Sequence, residues 1–102
     1  MTDKKIHFVI DKTKKAKKVK SSLLKIYKNY KPNKSNVIVV IGGDGFMLET
    51  LKRYQKYNKP FYGMNRGTFG FLMNKYKLKN LLQELIKWRS QLLRWEQLQK
   101  II

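Results

Sequence analysis

At 102 residues the chain has room for one small domain, and a hydrophobic share of 42% is enough for a packed core. With no cysteine, disulfide staples and thiolate metal sites are excluded, and no apolar stretch is long enough to cross a bilayer. A formal charge of +18, from 24 Lys+Arg against 6 Asp+Glu, favours anionic ligands over cationic ones.

Met1 to Lys5 has no secretory pattern, so a soluble cytoplasmic protein is expected. The run Ile6-His7-Phe8-Val9-Ile10 predicts a first strand ending at Asp11. From Thr13 to about Tyr30, Val19, Leu23, Ile26 and Tyr27 recur at three- and four-residue spacings, which predicts an amphipathic helix. Lys14, Lys15, Lys17, Lys18, Lys20 and Lys25 fall on its other faces, the usual make-up of a solvated helix surface. Residues 32–36, Pro-Asn-Lys-Ser-Asn, are turn chemistry.

Val37-Ile38-Val39-Val40-Ile41 is an uninterrupted β-branched run, the pattern of a parallel strand buried on both faces. It stops at Gly42-Gly43-Asp44-Gly45. A second helix is predicted to about Tyr57, with Phe46, Met47, Leu48, Leu51 and Tyr54 available to pack. Asn58-Lys59-Pro60 closes it, and Phe61-Tyr62-Gly63-Met64 reads as a third strand. After the loop Asn65 to Gly70 come Phe71-Leu72-Met73, then a long helix from about Lys77 to the end. Its stripe of Leu78, Leu81, Leu85, Trp88, Leu92 and Trp95 suits either a core-facing helix or one that pairs with another subunit. The alternation of strand and helix predicts an α/β fold: a three-layer, Rossmann-like domain with a short parallel sheet over residues 1–76, followed by a long C-terminal helix over 77–102.

Two glycine-rich loops each follow a strand of this sheet. At the carboxyl end of a parallel strand, where ligands of open α/β sheets bind, glycine allows a sharp turn and the close approach of a phosphate. The next helix offers its free N–H groups and the positive end of its dipole. Asp44 is unusual there, because a carboxylate repels phosphate. It either caps the helix, or takes a proton from a hydroxyl that attacks a phosphoryl group or helps place a metal. The second loop, residues 63–72, adds Gly63, Gly67, Gly70 and Arg66. Loops that follow neighbouring strands meet at one sheet edge, so a phosphate- or nucleotide-binding site is expected. Neither loop is a Walker A sequence or a G-x-G-x-x-G.

Residues 39–45, Val-Val-Ile-Gly-Gly-Asp-Gly, resemble the GGDG motif shared by NAD kinases, diacylglycerol-type lipid kinases and phosphofructokinases. Residues 63–72, Gly-Met-Asn-Arg-Gly-Thr-Phe-Gly-Phe-Leu, resemble the G-x-N-x-G-x-x-G-F-L motif of NAD kinases in particular, and the spacing between the motifs also matches that family. The likeness covers about Ile6 to Tyr76. It implies transfer of the terminal phosphate of ATP, or of polyphosphate, to the 2′-hydroxyl of the adenosine ribose of NAD, giving NADP. It also implies Asp44 as the base facing that hydroxyl, and Gly42, Gly43 and Gly45 as the lining of the phosphate site. Gly67, Gly70 and Phe71 match the second loop, with Phe71 against NAD, and Asn65, Arg66 and Thr68 fall in the same loop. A divalent cation, usually magnesium, accompanies the phosphates in the family; the chain itself shows no metal-ligand cluster.

The chain departs from the family pattern in two ways. Phe46 stands where a threonine is typical. The downstream Asn-Glu motif and second, β-rich domain have no counterpart, and the text beyond about Leu85 to Lys87 diverges. With part of the positioning apparatus missing, weak nucleotide binding and little catalysis are expected of these 102 residues alone. The alternatives are a non-catalytic binding module whose C-terminal helix forms a homo-oligomer, and a basic nucleic-acid binder. Lysine, asparagine, isoleucine and tyrosine are abundant throughout, as AT-rich codon usage produces, and no RNA-binding motif interleaves the aromatic and basic residues. No specific nucleic-acid or membrane partner is therefore expected. A lipid kinase is the most distant alternative.

Overall fold

A computed structural model describes residues 5–65 and 74–75. Four parallel strands form one sheet in sequential order: β1 (Ile6–Ile10), β2 (Val37–Ile41), β3 (Phe61–Asn65) and the two-residue β4 (Asn74–Lys75). Helix α1 (Lys14–Ile26) joins β1 to β2, and helix α2 (Asp44–Tyr54) joins β2 to β3. Short 3₁₀ turns follow the helices at Pro32–Lys34 and Gln55–Tyr57. The second turn ends at Asn58, whose left-handed φ of 52° suits a residue whose short polar side chain tolerates that region. The predicted C-terminal helix lies outside the described residues.

All five residues of β2 are buried, as an unbroken β-branched strand requires when helices cover both sheet faces. Its residues alternate between two cores. Val37, Val39 and Ile41 join Ile6, Phe8, Tyr62 and Met64 under Val19 and Leu23 of α1. Ile38 and Val40 join Phe61 under Met47 and Leu51 of α2 on the other face. The register Ile6↔Val37 and Ile38↔Phe61 keeps each set on one side. The result is the expected three layers, helix on sheet on helix. The chain crosses the sheet in one direction while its helices lie on opposite faces, so the two crossovers have opposite hands and one departs from the usual right-handed form.

Helix α1 begins where Thr13 accepts a hydrogen bond from the Ala16 N–H at 3.1 Å, a side-chain cap. It ends at Ile26, short of the predicted Tyr30, and Ile26 is 53% exposed. The buried stripe is Ala16, Val19 and Leu23, and Tyr27, four residues past Leu23, packs beside it in the position that the spacing also offered to Ile26. Tyr30 leaves the helix to donate its N–H to Ile6 O on β1. Both helices start at the carboxyl edge of the sheet, because each follows a strand and runs back antiparallel to it.

Candidate functional site

The carboxyl ends of β1, β2 and β3 are stitched together by backbone bonds. The Asp11 N–H donates to Ile41 O at 3.0 Å, and the Gly42 N–H donates to Met64 O at 3.1 Å. These bonds fix the start of the first glycine loop against both neighbouring strands. Gly43 is the N-cap of α2 with extended backbone (φ −97°, ψ −176°), and Asp44 and Gly45 are the first two residues of the helix. Asp44 is therefore the first residue of the helix, with Gly43 in the N-cap position. Its carboxylate sits in the first turn, where the helix dipole favours negative charge.

The three glycines differ in their surroundings. None has a positive φ, so backbone strain requires none of them. At Gly42 a Cβ would stand 2.8 Å from Phe46 Cδ2, too close without a shift of the ring, and a tight 3.3 Å from Asp11 Cβ. At Gly43 and Gly45 a Cβ would meet nothing within 4 Å. The protein itself leaves room for side chains at these two positions. Their bareness keeps the start of α2 open, where the first N–H groups of a helix lack carbonyl partners and Gly43 has no side chain to cap them. Such an arrangement accepts an anion. Helix α1, by contrast, is closed by its own Thr13.

The second loop begins beside the first. Ile41 pairs with Met64, so Gly42 follows β2 at the level where Asn65 ends β3. Asn65 is also paired with Lys75 of β4. Arg66, Gly67, Thr68, Gly70 and Phe71 lie outside the described residues. Two further side chains are at the edge: Asp11, to which the sequence assigned no role and whose Oδ1 accepts from the Lys12 N–H at 2.7 Å, and the ring of Phe46, expected only to pack. A polar residue directly after an apolar strand was the available signal for Asp11. Among the described residues no three His, Asp or Glu side chains cluster to hold a metal ion, and no helix is long and apolar enough to cross a membrane.

Comparison with known proteins agrees with this geometry. The family of the ATP-NAD kinase N-terminal domain matches residues 1–89, a span longer than the Ile6–Tyr76 stretch delimited by the motifs. The NAD kinase of Rhizobium meliloti (strain 1021) is 46% identical over 78 residues, covering 76% of this chain and 30% of that protein. The NAD kinase of Brucella suis biovar 1 is 36% identical over 89 residues, covering 87% of this chain and 35% of the relative. That of Rickettsia canadensis is 40% identical over 85 residues, covering 83% and 33%. The chain thus spans about a third of the length of the curated relatives it matches. With the first glycine loop held against the end of β3 and a family match over most of its length, the chain belongs to the NAD kinase family, as its N-terminal domain.

Proposed function

We propose that this chain carries the phosphate-handling part of an NAD kinase site, which transfers the terminal phosphoryl group of ATP to the 2′-hydroxyl of the adenosine ribose of NAD. The observation that carries the reading is the open space at Gly43 and Gly45, glycines that neither backbone strain nor packing requires. In this reading the N–H groups at the start of α2 receive phosphate oxygens, and Gly43 and Gly45 let those oxygens approach. Asp44 accepts the proton of the ribose hydroxyl as its oxygen bonds to phosphorus and the bond to the departing ADP breaks. Asn65 to Phe71 supply the NAD side of the cradle.

Magnesium would neutralise phosphate charge. With Asp11 and Asp44 the only acidic side chains described at this edge, it is carried mainly by the phosphates, as that ion commonly is. Positioning and electrostatics dominate phosphoryl transfer, so what these residues achieve depends on how much of the cradle encloses the substrates.

The test is NADP formation by the purified chain with NAD, ATP and magnesium, read through an NADP-specific dehydrogenase, with Asp44→Asn beside it. Turnover lost in Asp44→Asn supports the assignment. Saturable binding of ATP or NAD without turnover supports the non-catalytic binding module. Binding of neither refutes the site.

A further inference from the structure

Phe46 lies in the first turn of α2, and its ring is the nearest group that a Cβ at Gly42 would meet. The ring belongs to the α2-side core, packed against the cluster of Ile38, Val40, Met47, Leu51 and Phe61. From there its edge reaches the turn: a Cβ on Gly42 would lie 2.8 Å from Cδ2 and 3.2 Å from Cγ. Asp11 Cβ approaches the same point, at 3.3 Å, from the end of β1. The Phe46 carbonyl is tied in turn to buried Thr50, whose Oγ1 donates to it at 2.8 Å.

We propose that Phe46 is a positioning residue: with Asp11 it grips Gly42, and so presets the turn that aims the N–H groups at the start of α2 toward phosphate. The inference rests on the function proposed above. A glycine pair such as Gly42-Gly43 is the most pliable stretch a chain can contain, and ordering it only when ligand arrives weakens binding. Packing by the ring settles that ordering during folding. A smaller side chain at this position would leave the space beside Gly42 less filled, so an apolar contact fixes the loop here.

The decisive measurement is amide hydrogen exchange without ligand, on the unaltered chain, Phe46→Ala and Phe46→Leu. The Gly42 amide, bonded to Met64 O, reports the turn. The Ile38 amide, bonded to Pro60 O at the far end of β2, reports global opening. Phe46→Ala is expected to accelerate Gly42 at least tenfold more than Ile38, and Phe46→Leu much less. Equal acceleration at both amides would show a merely structural residue and overturn the proposal. ATP affinity, measured well below the melting temperature, is expected to fall about tenfold in Phe46→Ala, the loss for a turn competent a tenth of the time. An unchanged affinity with a loosened turn would also overturn it. If Phe46→Ala does not fold, Gly42→Ala serves: its melting temperature should fall by about 4–15 °C, and Phe46→Leu should restore part of that loss. Failure of the unaltered chain to bind ATP would sink the proposed function, while the exchange ratio still decides the grip by itself.

Discussion

Replacing Gly45 by alanine should stabilise the fold and damage the site at once. Gly45 is the second residue of α2, is exposed, has no positive φ, and a Cβ there meets no atom within 4 Å. Alanine in such a helical position restricts the unfolded chain and favours the folded one by about 0.4–1 kcal/mol. In a domain of this size that raises the melting temperature by about 2–6 °C. The same methyl group would project into the space reserved for a phosphate. Losing one charge-assisted hydrogen bond costs about 1.5–3 kcal/mol, so ATP should bind about 10- to 150-fold more weakly. Thermal melting by circular dichroism and isothermal titration with ATP read the two effects separately. A lowered melting temperature would show that the fold itself needs glycine here. An ATP affinity within twofold of the original would show that the open space is not the phosphate site.

Thr13→Ala removes the cap of α1 and should lower stability by about 1 kcal/mol in a denaturant titration, with ATP affinity unchanged because the cap lies outside the first loop. Leu23→Ala empties a fully buried position and should cost about 2–5 kcal/mol, whereas Ile26→Ala, on the exposed side of the same helix, should change stability by less than about 0.5 kcal/mol; equal effects would contradict the placement of the stripe. Asp11→Asn keeps the Cβ that borders the space beside Gly42 but removes a negative charge from the edge. Titration should show tighter ATP binding, more so at low salt than at high, and unchanged binding at every salt concentration would place Asp11 away from the ligand.

Much of this protein was legible in its sequence because the relevant signals are local. An unbroken β-branched run at residues 37–41 has one comfortable environment, a parallel strand covered on both faces, and that is where it lies. The glycine cluster directly after β2 places the first loop at the carboxyl edge, against the end of β3, and the motifs name the family. Helix ends were less legible. The spacing offered both Ile26 and Tyr27 to the core, and the choice fell to Tyr27 only because the chain must turn to bring Tyr30 to β1.

Tertiary structure decided the features that depend on residues far apart in the chain. Sequence shows three glycines in the first loop as equivalent; the fold separates Gly42, confined by Phe46 and by Asp11 from another strand, from Gly43 and Gly45, which face open space. Sequence left open whether Asp44 caps the helix, acts as a base or helps place a metal; the fold puts Gly43 at the N-cap and Asp44 in the first turn of α2. Composition, periodicity and glycine placement report what each segment can do by itself. Which neighbour occupies the space beside a given Cα is set only when the sheet register brings β1, β2 and β3 to a common edge, and that proximity gives the loop its shape.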